Sequence, residues 1–200
     1  MGKFIDLYEK MGATYSYSSV QIDIPIHIAR EVIRYSHQIP KSLIYDPDND
    51  KSYGLENEIH CTVLYGIHAS TAEGVKQVVE KYRLRPFNLQ FGHVSYFEQA
   101  DYDVMKFDIV SPYLHKINSL MREELEYTNS FPEYKPHCTI AYLRKGTKEK
   151  CPFAFDEFML FGREVWVTEL TFSSKSGQHE TVPLNGQVGR FRRFVEENQS

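Results

Sequence analysis

Apolar and polar positions change period several times along the chain, and each change marks an element. Within residues 15–24, Val20, Ile22 and Ile24 alternate with polar partners, the period-two pattern of a strand, and Pro25 ends it. Over residues 27–38 the apolar positions are Ile28, Val32, Ile33 and Tyr35, which is helical spacing, and Pro40 stops the helix. Residues 41–58 carry Asp46, Pro47, Asp48, Asn49, Asp50 and Gly54 and predict a surface loop. Residues 59–65 predict a strand. Thr71 is expected to cap a helix with the stripe Val75, Val78 and Val79, running to Tyr82.

Residues 87–97 and 102–110 predict a strand pair joined by a polar turn. Ser111-Pro112, a cap followed by proline, opens a helix to about Tyr127 with Leu114, Ile117, Leu120, Met121 and Leu125 inward. Pro136 leads into a strand over residues 137–143. Residues 165–172 and 179–184 predict a closing hairpin around Ser176-Gly177. The order β-α-β-α-ββ-α-β-ββ, with recurring strand pairs, predicts an α+β fold of mainly antiparallel sheet with outer helices.

The predicted strands contain an echo. His60-Cys61-Thr62-Val63-Leu64-Tyr65 matches His137-Cys138-Thr139-Ile140-Ala141-Tyr142, with histidine, cysteine, threonine and tyrosine at the same offsets. Each copy begins a strand after a polar loop. Side chains at i and i+2 share a strand face, so His60 and Thr62 point together, about 6.6 Å apart, as do His137 and Thr139. Strict alternation turns Cys61, Val63 and Tyr65 to the opposite face, with Cys138, Ile140 and Tyr142.

Two histidines on a shared cleft suit phosphoryl chemistry. A neutral imidazole can deprotonate a nucleophile while a protonated one delivers a proton to the leaving oxygen, and both states exist near pH 7. Threonine hydroxyls can donate to phosphoryl oxygens as charge builds. A lone His-x-Thr carries little information. The near-identical pair is what raises His60, Thr62, His137 and Thr139 to catalytic candidates.

Composition narrows the setting. The 200 residues are 42% hydrophobic and 25% charged, enough to bury a core. Net charge is −4, which argues against duplex DNA and for a small or short substrate. No apolar run is long enough to span a membrane, and the first ten residues are not a secretory leader, so a soluble cytoplasmic protein is expected. Cys61, Cys138 and Cys151 lack zinc or disulfide spacing and read as small buried residues. Neither histidine has a carboxylate neighbour that would complete a ligand set, so no metal and no cofactor is expected.

The paired motifs resemble the H-x-T/S-hydrophobic signatures of the 2H phosphoesterase superfamily, which takes in 2′,5′ RNA-ligase-like enzymes and cyclic phosphodiesterases. The resemblance implies two pseudo-symmetric lobes of antiparallel sheet around a central cleft, chemistry without a metal, and catalytic places for His60, Thr62, His137 and Thr139. It covers the order of elements from about residue 15 to 184 within one two-lobed domain, residues 1–200. The loop at 41–54 and the tail at 185–200 have no place in the family pattern. Glu58-Ile59-His60-Cys61-Thr62-Val63-Leu64-Tyr65-Gly66 is similar to the phage anti-CBASS phosphodiesterases, which implies a cyclic oligonucleotide substrate and, for a viral protein, action in the host cytoplasm. The alternatives are processing of short RNA at 2′,3′-cyclic or 2′,5′ linkages, and a noncatalytic nucleotide-binding module.

Candidate substrate contacts follow from the same patterns. Tyr17 lies opposite the apolar face of the first strand, and Trp166, the single tryptophan, lies near the closing strand; either ring could stack on a base. Glu169 alternates with Leu170 and could read a base edge. Lys135 and Arg144 flank the second motif and could attract phosphate.

Overall fold

The computed structural model describes residues 17–47, 52–128, 133–150 and 160–186. Its strands are β1 (Ser18–Asp23), β2 (His60–Ile67), β3 (Phe87–Glu98), β4 (Tyr102–Val110), β5 (His137–Arg144), β6 (Glu164–Val167), β7 (Glu169–Ser173) and β8 (His179–Pro183). The helices are α1 (Ile26–Ser36), α2 (Glu73–Lys81) and α3 (Pro112–Glu124). Tyr15, Cys151 and most of the tail lie outside the described residues.

All eight strands join one curled antiparallel sheet in the order β6-β3-β4-β5-β2-β1-β7-β8. The order is symmetric about the β5–β2 junction. There the two motif strands pair at a single position, Cys61 opposite Cys138, and then diverge. Two segments fill the space where they part. Ile44 and Leu55 bridge to Leu143 and Ala141 beside β5, while Tyr127 bridges to Ile67 beside β2. Of the loop that the family pattern left unassigned, Ile44, Tyr45 and Gly54 therefore line β5's free edge.

The helices follow the same symmetry crosswise. α1 follows β1 but packs on β5, and α3 follows β4 but packs on β2. Each buries a short apolar face: Ile28, Ala29 and Val32 in α1; Leu114, Ile117 and Met121 in α3. α2 buries Val75, Val78 and Val79 against α3 and β8. The core they cover continues through Val20, Ile22, Cys61, Val63, Phe107, Cys138 and Ile140.

Three local expectations change. Ala72, not Thr71, occupies the N-cap of α2, and no side chain caps it. Ser111 does sit at the N-cap of α3, but its hydroxyl donates to the Asn88 carbonyl (3.0 Å) and ties the helix start to β3 instead. The apolar stretch at 165–172 is two strands. Val167 ends β6 on one edge of the sheet, and Glu169 begins β7 beside β1 on the other side. One residue, Thr168, links them, which is feasible because the sheet curls until those strands approach. The β7–β8 hairpin forms as expected.

Candidate active site

The single β2–β5 pairing gathers the four candidate side chains. An antiparallel register with Cys61 opposite Cys138 sets His60 beside Thr139 and Thr62 beside His137. Cross-strand neighbours have Cβ atoms about 4.5–5.5 Å apart. All four line one cleft of about 560 Å³.

Both imidazoles are held the same way. Nδ1 of His60 lies 2.6 Å from the Glu58 carbonyl, and Nδ1 of His137 lies 2.7 Å from the Lys135 carbonyl. A carbonyl only accepts, so Nδ1 carries the hydrogen and Nε2 is left to exchange protons in the cleft. The Phe97 and His137 rings meet in a T-shaped contact with centroids 4.8 Å apart.

Each motif also carries a bulge. Along β1, Val20 faces Leu64 but Gln21 faces Thr62, so Val63 is the extra residue. Along β4, Met105 faces Ala141 but Lys106 faces Thr139, so Ile140 is extra. One inserted residue reverses the alternation beyond it. Tyr65 and Tyr142, assigned by strict alternation to the packed face, therefore join the histidines in lining the cleft. In β2 the bulge is pinned from both sides. Asn118 Nδ2 donates to the Val63 carbonyl at 2.7 Å, and the Tyr134 hydroxyl donates to the Thr62 carbonyl at 3.0 Å. Burial raises the Tyr134 phenol pKa, keeping that donor protonated.

Aromatic rings stand at both ends of the row of four candidate side chains. At the end beyond the His60–Thr139 pair, Tyr45 and Tyr102 stack at 5.0 Å, and Tyr53 meets Tyr142 edge-on at 5.3 Å; Tyr102 and Tyr142 line the cleft. At the end beyond the Thr62–His137 pair, Tyr17 stacks on His68 at 5.6 Å and meets Tyr65 edge-on at 6.2 Å. Tyr17 thus backs Tyr65, which is the ring on the cleft wall. Lys135 lines the cleft and pairs with Glu133 at 3.2 Å. Trp166, Glu169 and Arg144 are exposed and are not among the cleft-lining residues. Trp166 lies on the edge strand β6 opposite Asn88, Glu169 at the start of β7, and Arg144 at the end of β5.

Behind the motifs lies a second layer absent from the sequence reading. Asp23 faces His60 and Gln21 faces Thr62 across β1; Asp108 faces His137 and Lys106 faces Thr139 across β4. Gln21 Nε2 donates to Asp23 (2.7 Å), and Thr171 Oγ1 donates to the other Asp23 oxygen (2.7 Å). In the other half, Lys106 Nζ and Ser95 Oγ donate to Asp108. Burial alone would raise the Asp108 pKa, but the hydrogen bonds from Lys106 and Ser95, with the lysine charge, outweigh it and lower the value. The signal was a second echo: Val20-Gln21-Ile22-Asp23-Ile24 aligns with Met105-Lys106-Phe107-Asp108-Ile109.

His137 is driven toward its neutral form. Burial is the largest cause. The Lys106 and His60 charges act the same way, while the Lys135 carbonyl and Asp108 oppose it, and the net pKa is below 6.5. Burial raises the Cys138 thiol well above its usual value, which suits a packing residue. Among the described residues no cluster of three or more His, Cys, Asp or Glu could hold a metal ion, and no helix is long and apolar enough to cross a membrane.

A family model of the 2′-5′ RNA ligase superfamily matches residues 45–179, more than half of the chain. The chain belongs to this superfamily. As a 2H phosphoesterase it is a hydrolase of phosphodiester bonds. No curated protein matches it. Among solved structures, TT0787 of Thermus thermophilus is similar to it at a TM-score of 0.58 and 14% identity, covering 86% of this chain and 100% of that one. E. coli LigT complexed with 3′-AMP has a TM-score of 0.52 and 17% identity, covering 84% and 94% of the two chains. Kluyveromyces marxianus Usb1 with uridine monophosphate has 0.52 and 11%, covering 84% and 98%. Identities this low establish the fold, and the 2H phosphoesterase fold is the one described above.

Proposed function

We propose that this 2H phosphoesterase opens small cyclic oligoribonucleotides by two-histidine acid–base catalysis without a metal. The observation that carries the reading is the pair of imidazoles, each fixed through Nδ1 with Nε2 left to the cleft, and each beside the other strand's threonine. Tyr65 and Tyr142 at opposite ends of the row support a substrate with a base on either side of the scissile phosphate. Each stacked base contributes about 1–3 kcal/mol.

The proposed reaction is a transesterification. A ribose 2′-oxygen bonds to phosphorus while one imidazole takes its proton. The bond from phosphorus to the 5′-oxygen breaks, and the other imidazole gives that oxygen a proton. The products are a 2′,3′-cyclic phosphate and a 5′-hydroxyl. Water then reverses the proton traffic and opens the ring. Thr62 and Thr139 hydroxyls donate to the non-bridging oxygens, whose charge is greatest in the transition state. The nucleophile is part of the substrate, so its alignment supplies several kcal/mol.

Cleavage of this kind in the cytoplasm would suit a viral countermeasure to CBASS immunity. The family match favours a second reading, a short RNA with a 2′,3′-cyclic or 2′,5′ linkage. One experiment separates them: incubation in excess EDTA with cyclic dinucleotides, cyclic trinucleotides, 2′,5′-oligoadenylate and 2′,3′-cyclic nucleotides, with products read by mass. The proposal expects rapid opening of the cyclic oligonucleotides and resistance of their 2′-deoxy analogues. Preference for the linear 2′,5′ substrate selects the second reading. Loss of turnover in EDTA, or equal cleavage of ribo and deoxy rings, refutes the mechanism.

A further inference from the structure

The hydrogen-bond rows behind the two histidines are alike in kind and differ in one charge. Asp23 and Asp108 face the two histidines, and Thr171 and Ser95 complete the two hydrogen-bond rows. Between them the His60 half has a neutral Gln21, where the His137 half has a cation, Lys106. The Lys106 side chain is 5% exposed. Its Nζ is held by Asp108, by Ser95 at 2.6 Å and over the face of Phe97 at 4.2 Å. Phe97 in turn meets His137 edge-on. A cation kept this far from water is weakly screened and acts on its neighbours.

On the acid–base reading above, we propose that Lys106 is the positioning residue that makes the two histidines unequal, biasing His137 to serve as the base and leaving His60 as the acid. On β4, Asp108 stands opposite His137 and Lys106 opposite Thr139, two residues along; the charges of Lys106, Asp108 and His60 all reach His137, with Lys135 and Glu133 in the segment before it and Glu56 on the cleft wall. Asp108 would favour an imidazolium, but it is engaged by Lys106 and Ser95 and is 45% exposed, so the more deeply buried cation prevails. In the first step, the 2′-hydroxyl proton passes to His137 Nε2, and the 5′-oxygen receives the proton of His60. In the second step, water gives its proton to His60, and His137 returns its own to the 2′-oxygen. Lys106 exchanges no proton and touches no substrate.

The test uses uridine 3′-(4-nitrophenyl phosphate), whose leaving phenolate needs no acid. His60→Ala should keep most activity on this ester, whereas His137→Ala should lose about 10²-fold or more. The reverse result overturns the assignment. Within the His60→Ala chain only the base titrates kinetically, so rate should rise with pH in a single limb. Adding Lys106→Gln, which copies the other half, should move that limb up by on the order of one pH unit. A merely structural lysine would lower the plateau and leave the limb in place, and that outcome also overturns the proposal. NMR titration of the unaltered chain needs neither substrate nor a folded variant. It should show His137 titrating below 6.5, and a value at or above 6.5 refutes the proposal even if the enzyme cleaves another substrate class.

Discussion

Replacing Asn118 by leucine tests whether the Val63 bulge is a working part of the site. Asn118 is 4% exposed on the inner face of α3, and its amide donates to the Val63 carbonyl at 2.7 Å. Leucine keeps the approximate size and removes the donor. Leaving a buried acceptor unpaired costs about 1–3 kcal/mol. For a chain of this length each kcal/mol moves the melting temperature about 2–4 °C, so a loss of about 2–12 °C is expected. Without its tether the bulge should relax, and Thr62 and Tyr65 can no longer be held together on the cleft face, so kcat should fall further than KM rises. Asn118→Asp sharpens the test. A carboxylate can only accept, so at pH 7 it opposes the Val63 carbonyl and should melt below the leucine variant; protonation restores a donor, and the deficit should shrink as pH falls. Scanning calorimetry from pH 7 to 5, with steady-state kinetics, reads both effects. Wild-type melting in the leucine variant, or an aspartate variant no worse than leucine, refutes the reasoning.

Four further outcomes are expected. On the natural substrate, His60→Ala and His137→Ala should each lose about 10³-fold or more in kcat while circular dichroism stays unchanged, because each removes a proton-transfer group and no core packing; near-normal turnover in either would end the assignment. Thr62→Val and Thr139→Val should lose about 10²-fold in kcat with little change in KM, and an unchanged kcat would return them to ordinary strand positions. Tyr65→Ala and Tyr142→Ala should raise KM about 5- to 150-fold, the equivalent of one stacked base each, and KM values equal to wild type would move the base subsites elsewhere. The His137 folded pKa lies below its unfolded value of about 6.5, so its contribution to stability is present above pH 6.5 and lost as pH falls through the folded value. Urea midpoints should therefore fall more steeply for wild type than for His137→Ala below pH 6.5, and parallel curves would contradict this.

Much of this protein was legible from local pattern. Period-two and period-3.6 runs placed β4 at its true bounds and the remaining strands and helices near theirs, because each buries one face and the face repeats with the element. The paired His-x-Thr motifs marked both strands that meet at the centre of the sheet, since a constellation built by pseudo-symmetry has to be written twice. The second echo, Gln21 and Asp23 against Lys106 and Asp108, was equally present but gains meaning only once β1 and β4 are known to flank β2 and β5.

Tertiary structure decided the rest. The run at 165–172 has continuous strand character, and only the curl of the sheet shows why it must break at Thr168 and serve both halves. Tyr65 and Tyr142 reach the cleft through bulges, and one inserted residue leaves no trace in an apolar run such as Val63-Leu64 or Ile140-Ala141. The difference between the histidines was invisible because the two motifs are the same. On our proposal it arises from burial of His137 together with the charge of Lys106, which stands on the neighbouring strand opposite Thr139. Sequence named the candidate proton-transfer groups. Burial and cross-strand charge, which exist only in the folded chain, push His137 toward its neutral form.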